Sequence, residues 1–366
     1  MDNNKKDKVL FLVNGLGMGN STRCYSIIER LAETGLKIDV MTSGNGLFFF
    51  SEKKEINRII EINEFYYAKE KSGKLSILRT ISSLFDFIRI YAENNLLVKN
   101  YLKEERPSAV VTDSQYVFWP MIFRKIPIIA INNSDVVVMS FFKMKNKPLS
   151  VFPQFFLIEC MDYLFHLLVP TKVISPVLNK SYSKNGKFIH VPLIARKNCK
   201  REINKENIKN VVIMLSGSAF GSQVNLKGES FPFHIDVIGR TGDNSGEVTF
   251  HGKILDNIDI INRADVLVIN AGFSAVSEGI YAGKPMAVIP VDNHAEQYVN
   301  AKTVEELGLG IITKAEKIPS AIREVISNID SFRSNHEAYP FERGGSEKAC
   351  RIVMDIVNSQ SRKNSK

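Results

Sequence analysis

The chain contains 366 residues, of which 44% are hydrophobic and 24% charged, a composition that excludes a disordered chain and suits two domains with full cores. Its formal net charge is +9. Residues 1–200 hold 29 basic and 18 acidic side chains, whereas residues 201–366 hold 19 and 21. This asymmetry indicates either an anionic partner for the first half or simple solubility.

The sequence also bears on the compartment. The four cysteines are scattered, with no histidine beside them at zinc spacing, so we expect neither a disulfide framework nor a metal site. The charged first residues and the short apolar run at 9–13 predict no signal peptide. The apolar segments 149–156 and 163–170 are broken by proline and charges, which argues against a membrane span. We therefore expect a cytoplasmic protein.

The first half begins with a βαβ unit. Residues 8–15 form a short apolar run that ends at glycine, which is typical of a buried parallel strand. A helical pattern covers residues 21–33, and residues 36–43 give the next strand. Further strands are predicted at 108–113, 126–132 and 172–176.

A second series of elements follows the polar stretch 196–210, which we interpret as a linker. Strands alternate with helical patterns here as well, which indicates a parallel sheet. An amphipathic helix is predicted at 346–359, with residues 361–366 fraying at its end. The predicted strands are 211–217, 234–239, 247–252, 265–270 and 285–290.

Two alternating halves predict an α/β protein with two Rossmann-like, doubly wound domains facing across a cleft. Residues 1–196 would form the first domain, and residues 197–342 the second. Residues 343–366 would form a terminal helix that packs back on the first domain.

The strongest functional pattern lies at residues 265–290, where a strand and a turn of small residues precede a helix. The start of such a helix exposes backbone N–H groups and the positive end of the dipole, which suits a diphosphate. Glu278 lies one turn beyond Ser274, where a carboxylate can accept hydrogen bonds from ribose hydroxyls. The alternative is an ordinary crossover in which Ser274 caps the helix and Glu278 is solvated.

A second polar segment follows the strand that ends near Pro290. Glu296 and Gln297 combine an acceptor with a mixed donor and acceptor, which suits sugar hydroxyls. The alternative is a polar helix start capped by Asp292 or Asn293.

Together these segments resemble the nucleotide-sugar transferases of the GT-B fold. They are most similar to the N-acetylglucosaminyltransferases that make lipid II, and more loosely to UDP-glucuronosyl and glycosyl transferases. The resemblance covers most of the chain and is specific over about residues 250–310. The matching residues are Asp265, Gly272, Ser274, Glu278, Gly283, Lys284, Pro285, Glu296, Gln297, Asn300 and Ala301.

The resemblance implies a role for each part of this segment. Gly272, Phe273, Ser274 and Ala275 would hold the donor diphosphate. The remaining implied contacts are Glu278 to the ribose, Glu296 and Gln297 to the hexose, backbone groups around Ile254 to the base, and Ser218 to a donor phosphate.

The loop at residues 15–23 contains three glycines and permits close backbone approach. A dinucleotide site would want an acid after the second strand, about 20 residues on, and Ser43 stands there instead. The loop resembles the acceptor loop of the same transferases, to which Gly17, Gly19 and Arg23 would belong.

Asn20 occupies the position where many of these transferases carry a histidine base, which an aspartate orients. That aspartate corresponds to Asp113. Either Asp113 acts directly as the base, or Asn20 only orients the acceptor. Alternatively, the acceptor ionises readily, like a phosphate, and needs little help from a base. An inactive homologue is a further alternative.

Two segments have membrane-facing character. Residues 75–102 form an amphipathic helical pattern, and residues 141–156 interleave phenylalanine with lysine, as suits an anionic bilayer. The alternatives are a core helix for the first segment and a mobile acceptor loop for the second.

We therefore expect an inverting glycosyltransferase that moves a hexose or N-acetylhexosamine from a UDP-type sugar nucleotide to a lipid-linked or other glycan acceptor. The sugar nucleotide is a co-substrate, and no further cofactor and no nucleic acid partner are expected. The protein would be cytoplasmic, or peripheral at the inner membrane face. The alternatives are a sugar-nucleotide 2-epimerase of the same fold and a non-catalytic sugar-nucleotide binder.

Overall fold

The computed structural model describes residues 7–64, 84–179, 186–215, 224, 226, 228–340 and 342–364. Its first half is built on a seven-stranded sheet with the order β3-β2-β1-β4-β5-β6-β7, in which every neighbouring pair is parallel. The central strands are almost entirely buried and rich in valine, leucine and isoleucine, as expected where helices cover both faces of a sheet. The strands are β1 (Lys8–Val13), β2 (Lys37–Thr42), β3 (Arg58–Glu61), β4 (Ala109–Asp113), β5 (Ile128–Ile131), β6 (Lys172–Pro176) and β7 (Phe188–Val191).

The second half is built on a six-stranded sheet with the order β10-β9-β8-β11-β12-β13, again parallel throughout. In both sheets the strand order reverses beside the first strand of the half, which creates the crevice where ligands bind in open α/β sheets. The strands are β8 (Asn210–Met214), β9 (His234–Ile238), β10 (Val248–Gly252), β11 (Val266–Asn270), β12 (Met286–Ile289) and β13 (Gly310–Ile312).

Helices cover both sheets. Those of the first half are α1 (Met18–Glu33), α2 (Gly44–Phe50), α3 (Leu84–Glu104), α4 (Trp119–Phe123), α5 (Ser134–Lys143) and α6 (Leu149–Leu168). Those that follow are α7 (Ile258–Arg263), α8 (Phe273–Ala282), α9 (Ala295–Glu306), α10 (Ile318–Ser327), α11 (Ile329–Ala338) and α12 (Gly345–Asn364).

The chain passes between the halves twice. It first crosses between β7 and β8, and it returns after α11 so that α12 packs on α1 of the first half. Ala349, Val353 and Val357 of α12 lie in the same apolar core as the first strand. The two crossings touch, because Gly345 lies against the carbonyls of Pro192 and Leu193. The second half is therefore connected to the first by two chain segments that lie side by side in space.

The predicted fold class is confirmed: two parallel sheets, each with helices on its faces, form one α/β chain. Three short strands of three or four residues, β3, β7 and β13, were not predicted. Helix α1 begins three residues earlier than expected, inside the glycine loop, and α12 continues to Asn364. Of the expected helix at 75–102, residues 75–83 lie outside the described part.

The two apolar segments near residue 160 join into one helix. Pro153 does not interrupt α6, since it lies in the first turn of its α-helical stretch, where no intrahelical N–H bond is lost. Among the described residues, α6 alone is long and apolar enough to span a membrane by length and composition, and 28% of its apolar window is buried. Its polar residues Gln154, Glu159 and His166 are buried, whereas large apolar residues such as Met161 and Leu168 are exposed.

Candidate active site

The carboxyl ends of β1 and β11 lead into two turns that meet between the halves. The first turn runs from Asn14 into α1, and the second from Ala271 into α8. Ser274 Oγ donates a hydrogen bond of 2.8 Å to the carbonyl of Gly19. A Cβ atom on Gly19 would lie 3.3 Å from Cβ and Oγ of Ser274, so glycine permits this close approach. The predicted acceptor loop and the predicted diphosphate turn are thus in direct contact.

Helix α8 begins at Phe273 with Gly272 as its N-cap, and no side chain caps it. Its first N–H groups are therefore left without an intrahelical acceptor. A Cβ atom on Gly272 would meet nothing within 4 Å. A diphosphate could approach this backbone closely, as the resemblance implies for Gly272 to Ala275.

Arg23 and Asp113 form a buried ion pair behind the first turn. Arg23 Nε and Nη2 donate to the two carboxylate oxygens of Asp113 at 2.9 and 2.7 Å. Asp113 is 0% exposed and Arg23 7%. Burial disfavours the charged guanidinium, but Asp113 outweighs that effect and the pKa of Arg23 is raised. The guanidinium also lies 5.8 Å from the ring centroid of Phe273 in the other half.

This pair bears on the role expected for Asp113. Its carboxylate faces Arg23 rather than open solvent, and Cys24 Sγ approaches it at 3.4 Å. To act as the base, Asp113 would first have to separate from Arg23, so that role stays a prediction. Asn20 lies beside the pair, with Oδ1 at 3.4 Å from Arg23 Nη2 and Nδ2 at 3.4 Å from the carbonyl of Asn14. Asn20 orients the loop here.

Glu278 is also held by an arginine, which the sequence did not suggest. Arg196 Nε and Nη2 donate to its two oxygens at 2.7 and 2.8 Å. Arg196 further contacts Asp256 at 2.8 Å and Asn257 at 2.7 Å. Glu278 is 6% exposed, so it is not the solvated residue of the alternative interpretation. A ribose would have to share this carboxylate with Arg196.

The first turn of α9 contains Glu296 and Gln297 and faces α6 of the first half. Gln297 Oε1 accepts a hydrogen bond from the backbone of Val291 at 3.0 Å, and the Glu296 carboxyl interacts with Asn300. Asn300 in turn donates to the carbonyl of Ala271 at 3.1 Å. Glu296 is thereby linked through Asn300 to Ala271, the residue that follows β11 and begins the diphosphate turn.

Two buried residues of α6 complete this contact. Gln154 Oε1 accepts from Ala295 N at 2.8 Å, and its Nε2 donates to Glu159 Oε1 at 2.6 Å. Burial, followed by the nearby charge of Glu296, raises the pKa of Glu159 to about 8. Gln154 thus satisfies an N–H group at the start of α9 from the opposite half.

An apolar cluster surrounds these polar contacts. It joins Phe141 and Phe155 of the first half to Ala295 and Val299 of α9. The rings of Phe141 and Phe155 stack with centroids 3.7 Å apart. In this arrangement the halves are held together by a small core as well as by hydrogen bonds.

The remaining predicted residues are less closely engaged. Gly17 is the N-cap of α1 and has open space around it, and Ala275 lies partly buried in α8. Ile254 follows β10 and packs partly buried against the core of the second half. Ser218 lies outside the described residues.

The functional candidates that sequence reasoning missed are Gln154, Glu159 and Arg196. Arg196 fell in the predicted linker, and its partner Glu278 is 82 residues away. Glu159 interrupts an apolar segment, which was its only signal. None of the three stands in a motif that indicates its partner.

Comparison with known proteins decides the class. Residues 7–330 match the family model described as Glycosyl transferase family 1. The chain belongs to this glycosyltransferase family. It is an enzyme of the transferase class, as the sequence predicts, and the match spans both sheets.

Relatives match most of the chain. An uncharacterised glycosyltransferase of Methanosarcina acetivorans is 25% identical over 363 residues, covering 90% of this chain and 92% of the relative. The UDP-N-acetylglucosamine--N-acetylmuramyl-(pentapeptide) pyrophosphoryl-undecaprenol N-acetylglucosamine transferase of Clostridium botulinum is 24% identical over 361 residues, with the same two coverages. Among solved structures, MurG of Acinetobacter baumannii has a TM-score of 0.57 at 12% identity, covering 95% of this chain and 99% of that one. This last likeness supports the fold.

Proposed function

We propose that the glycosyltransferase moves a hexose or N-acetylhexosamine from a UDP-type sugar nucleotide to an acceptor hydroxyl. The observation that carries the proposal is the uncapped start of α8, which meets the glycine loop through Ser274 and Gly19. An anion bound at this helix start would lie directly opposite the loop of the other half. The name of the Clostridium botulinum relative, a UDP-N-acetylglucosamine-dependent transferase, supports the choice of donor.

The donor would lie along the carboxyl edge of the second sheet. Its diphosphate binds the backbone at Gly272 to Ala275, where Ser274 exchanges the Gly19 carbonyl for a phosphate oxygen. Its ribose binds Glu278, and its sugar binds Glu296 and Gln297 in the first turn of α9. The base then faces the loop around Ile254.

The reaction would invert the anomeric centre. The acceptor oxygen attacks C1 in line, through a transition state with oxocarbenium character, and the bond from C1 to the diphosphate oxygen breaks. The electron pair stays on the departing nucleoside diphosphate, which the helix start and its N–H groups stabilise. The acceptor proton leaves to a carboxylate of the cleft or to water.

A thermal-shift screen of nucleotides and sugar nucleotides tests the donor without an acceptor. We expect UDP and UDP-sugars to raise the Tm, and UMP to raise it less, because binding to the folded state stabilises it. Gly272→Ala is the matched variant, since its methyl group meets no protein atom but would obstruct a diphosphate. Equal Tm values with and without every nucleotide would refute the proposed donor site.

We further propose that the acceptor is lipid-linked and that the first half docks on an anionic membrane. Helix α6 and its neighbour α5 expose large apolar side chains, including Phe142 at 61% and Met161 at 58%. The exposed Lys143 and Lys145 flank them. Exposed apolar residues beside lysines suit the boundary between acyl chains and anionic headgroups.

Co-sedimentation with vesicles tests this surface. Binding should increase with the fraction of anionic lipid and decrease with salt, because screening shortens the reach of the lysine charges. Lys143→Glu with Lys145→Glu should abolish it, whereas the same reversals at Lys314 and Lys317 of the second half should not. Equal and negligible binding to neutral and anionic vesicles would contradict membrane docking while leaving the donor proposal intact.

A further inference from the structure

We propose that Arg23 binds the departing diphosphate of the donor and stabilises its developing charge, with Asp113 as the residue that positions it. The proposal rests on the donor site described above, and it assigns a catalytic cation to the half opposite that site. It thereby gives Arg23 a role on the donor rather than on the acceptor.

The position of Arg23 relative to the second half is the first argument. Its guanidinium lies 5.8 Å from the ring centroid of Phe273, the residue that begins α8. One turn earlier on α1, the Gly19 carbonyl accepts the hydrogen bond from Ser274. The cation is therefore adjacent to the first turn of the helix that would hold the diphosphate.

A second argument locates Arg23 on the sugar side as well. Burial raises the pKa of the Glu296 carboxyl, and the charge of Arg23 is the main influence that opposes this shift. Arg23 thus lies within electrostatic reach of the candidate hexose residue while it contacts Phe273. A group between these two residues faces the junction of sugar and diphosphate, which is where the bond breaks.

The donor capacity of Arg23 is the third argument. A guanidinium carries five N–H donors, and Asp113 receives two short bonds from them. The contact with Asn20 is long, at 3.4 Å. The fork therefore retains N–H groups for a phosphate, and the bidentate grip of Asp113 fixes its direction.

The chemical step follows from this placement. As the acceptor oxygen bonds to C1, the bond from C1 to the diphosphate oxygen breaks and its electron pair passes to that oxygen. Arg23 donates hydrogen bonds to the oxygen that gains this charge, in a buried site where such interactions are strong. The proton of the acceptor goes to a cleft carboxylate or to water, so Arg23 stays protonated throughout.

The alternative is a purely structural ion pair between α1 and β4. Binding of UDP and UMP, measured by calorimetry, separates the two roles because only UDP carries the second phosphate. Arg23→Lys keeps the charge beside Asp113 but loses the planar fork. The double variant Arg23→Gln with Asp113→Asn removes both charges, and so leaves neither partner buried alone.

We expect the double variant to bind UDP about 10- to 100-fold more weakly than the wild type, as for lost hydrogen bonds to a charged group, with UMP changed less than about twofold. The UDP affinity of Arg23→Lys should lie between those of the wild type and the double variant. Turnover should fall about 10²- to 10³-fold. Arg30→Gln, on the same helix but paired with Glu347 at the surface, is the control and should match the wild type.

Equal losses for UDP and UMP, or no loss for either, would overturn the role of Arg23. A wild-type protein that binds neither nucleotide would instead refute the donor site itself. The two failures are therefore distinguishable, and the folded state of each variant is checked by its Tm.

Discussion

Each half of the molecule has a buried arginine–carboxylate pair behind the turn that joins one of its central strands to a helix. In the first half the arginine, Arg23, is on the helix and the carboxylate, Asp113, ends a strand. In the second half the carboxylate, Glu278, is on the helix and Arg196 comes from the chain that crosses between the halves. Both pairs are bidentate with similar distances.

The pairs differ in their other partners. Arg196 also binds Asp256 and Asn257, so it connects the crossing segment to two parts of the second half. Arg23 has Asp113 as its one short-range partner among the described hydrogen bonds, and it faces Phe273 of the opposite half. An arginine with several partners is suited to connecting segments of the protein. An arginine with a single close partner at an interface keeps donors that could contact a ligand.

The largest effect on stability is expected at Asp113. Asp113→Ala should lower the free energy of unfolding by about 3–5 kcal/mol, because it leaves the Arg23 guanidinium buried without its partner. Urea unfolding measures this loss. The double variant Arg23→Gln with Asp113→Asn should recover most of it, and a loss below about 1 kcal/mol for Asp113→Ala would contradict the importance of the pair.

A smaller effect is expected at Glu278. Glu278→Gln should cost about 1–3 kcal/mol, since Arg196 keeps Asp256 and Asn257 as partners. If Glu278 also holds the ribose, the variant should lose the preference for UDP over 2′-deoxy-UDP. Calorimetry with both nucleotides checks this, and an unchanged preference would remove Glu278 from the ribose site.

The contact of Gln154 and Glu159 with the start of α9 joins the two halves without an arginine, and it should depend on pH. The pKa of Glu159 is raised to about 8, against 4.5 for an ordinary glutamate, by burial and by Glu296. Between these values the folded state binds more protons than the unfolded state, so stability falls as pH rises from about 4.5 to 8. Asp162 adds a further negative charge.

We expect the Tm to fall across this range by about 2–4 °C for each kcal/mol of stability that is lost. Glu159→Gln should flatten the dependence, because glutamine keeps the hydrogen bond to Gln154 without titrating. Arg23, whose pKa is raised above its already high ordinary value, stays charged over the same range and serves as the contrast. A Tm that rises with pH in the wild type would show that another group dominates.

The smallest effects on stability are expected at the glycines near the two turns. Gly272→Ala should change the free energy of unfolding by less than about 0.5 kcal/mol, since its methyl group enters open space. Gly19→Ala should cost about 0.5–1 kcal/mol, because its methyl group lies 3.3 Å from Ser274. Thermal unfolding of both variants checks the order, and the reverse order would place the tight contact elsewhere.

The sequence predicted the fold through its buried strands. Runs such as Val9 to Val13 and Val266 to Ile269 are short and fully apolar. Because they alternate with helical patterns, they indicate a parallel sheet. The turns at Gly19 and Gly272 were located for the same reason, since they follow these strands. Local pattern therefore predicted the architecture, which is confirmed, whereas the place of the site stays a prediction.

Partners across the site could not be predicted in the same way. The contacts of Arg196 with Glu278, and of Gln154 with Ala295, join residues separated by 82 and 141 positions. No periodicity encodes such a distance. Pro153 even argued for a break in α6, although its position in the first turn makes it harmless.

The double passage of the chain between the halves has a mechanical consequence. Two domains on a single tether can twist and swing in any direction, whereas two adjacent tethers leave rotation about one line as the easy motion. Gly345, pressed against Pro192 and Leu193, keeps these tethers together. The two halves should therefore open and close by a hinge rotation about one axis. Each closure would return Arg23 to the same position beside Phe273.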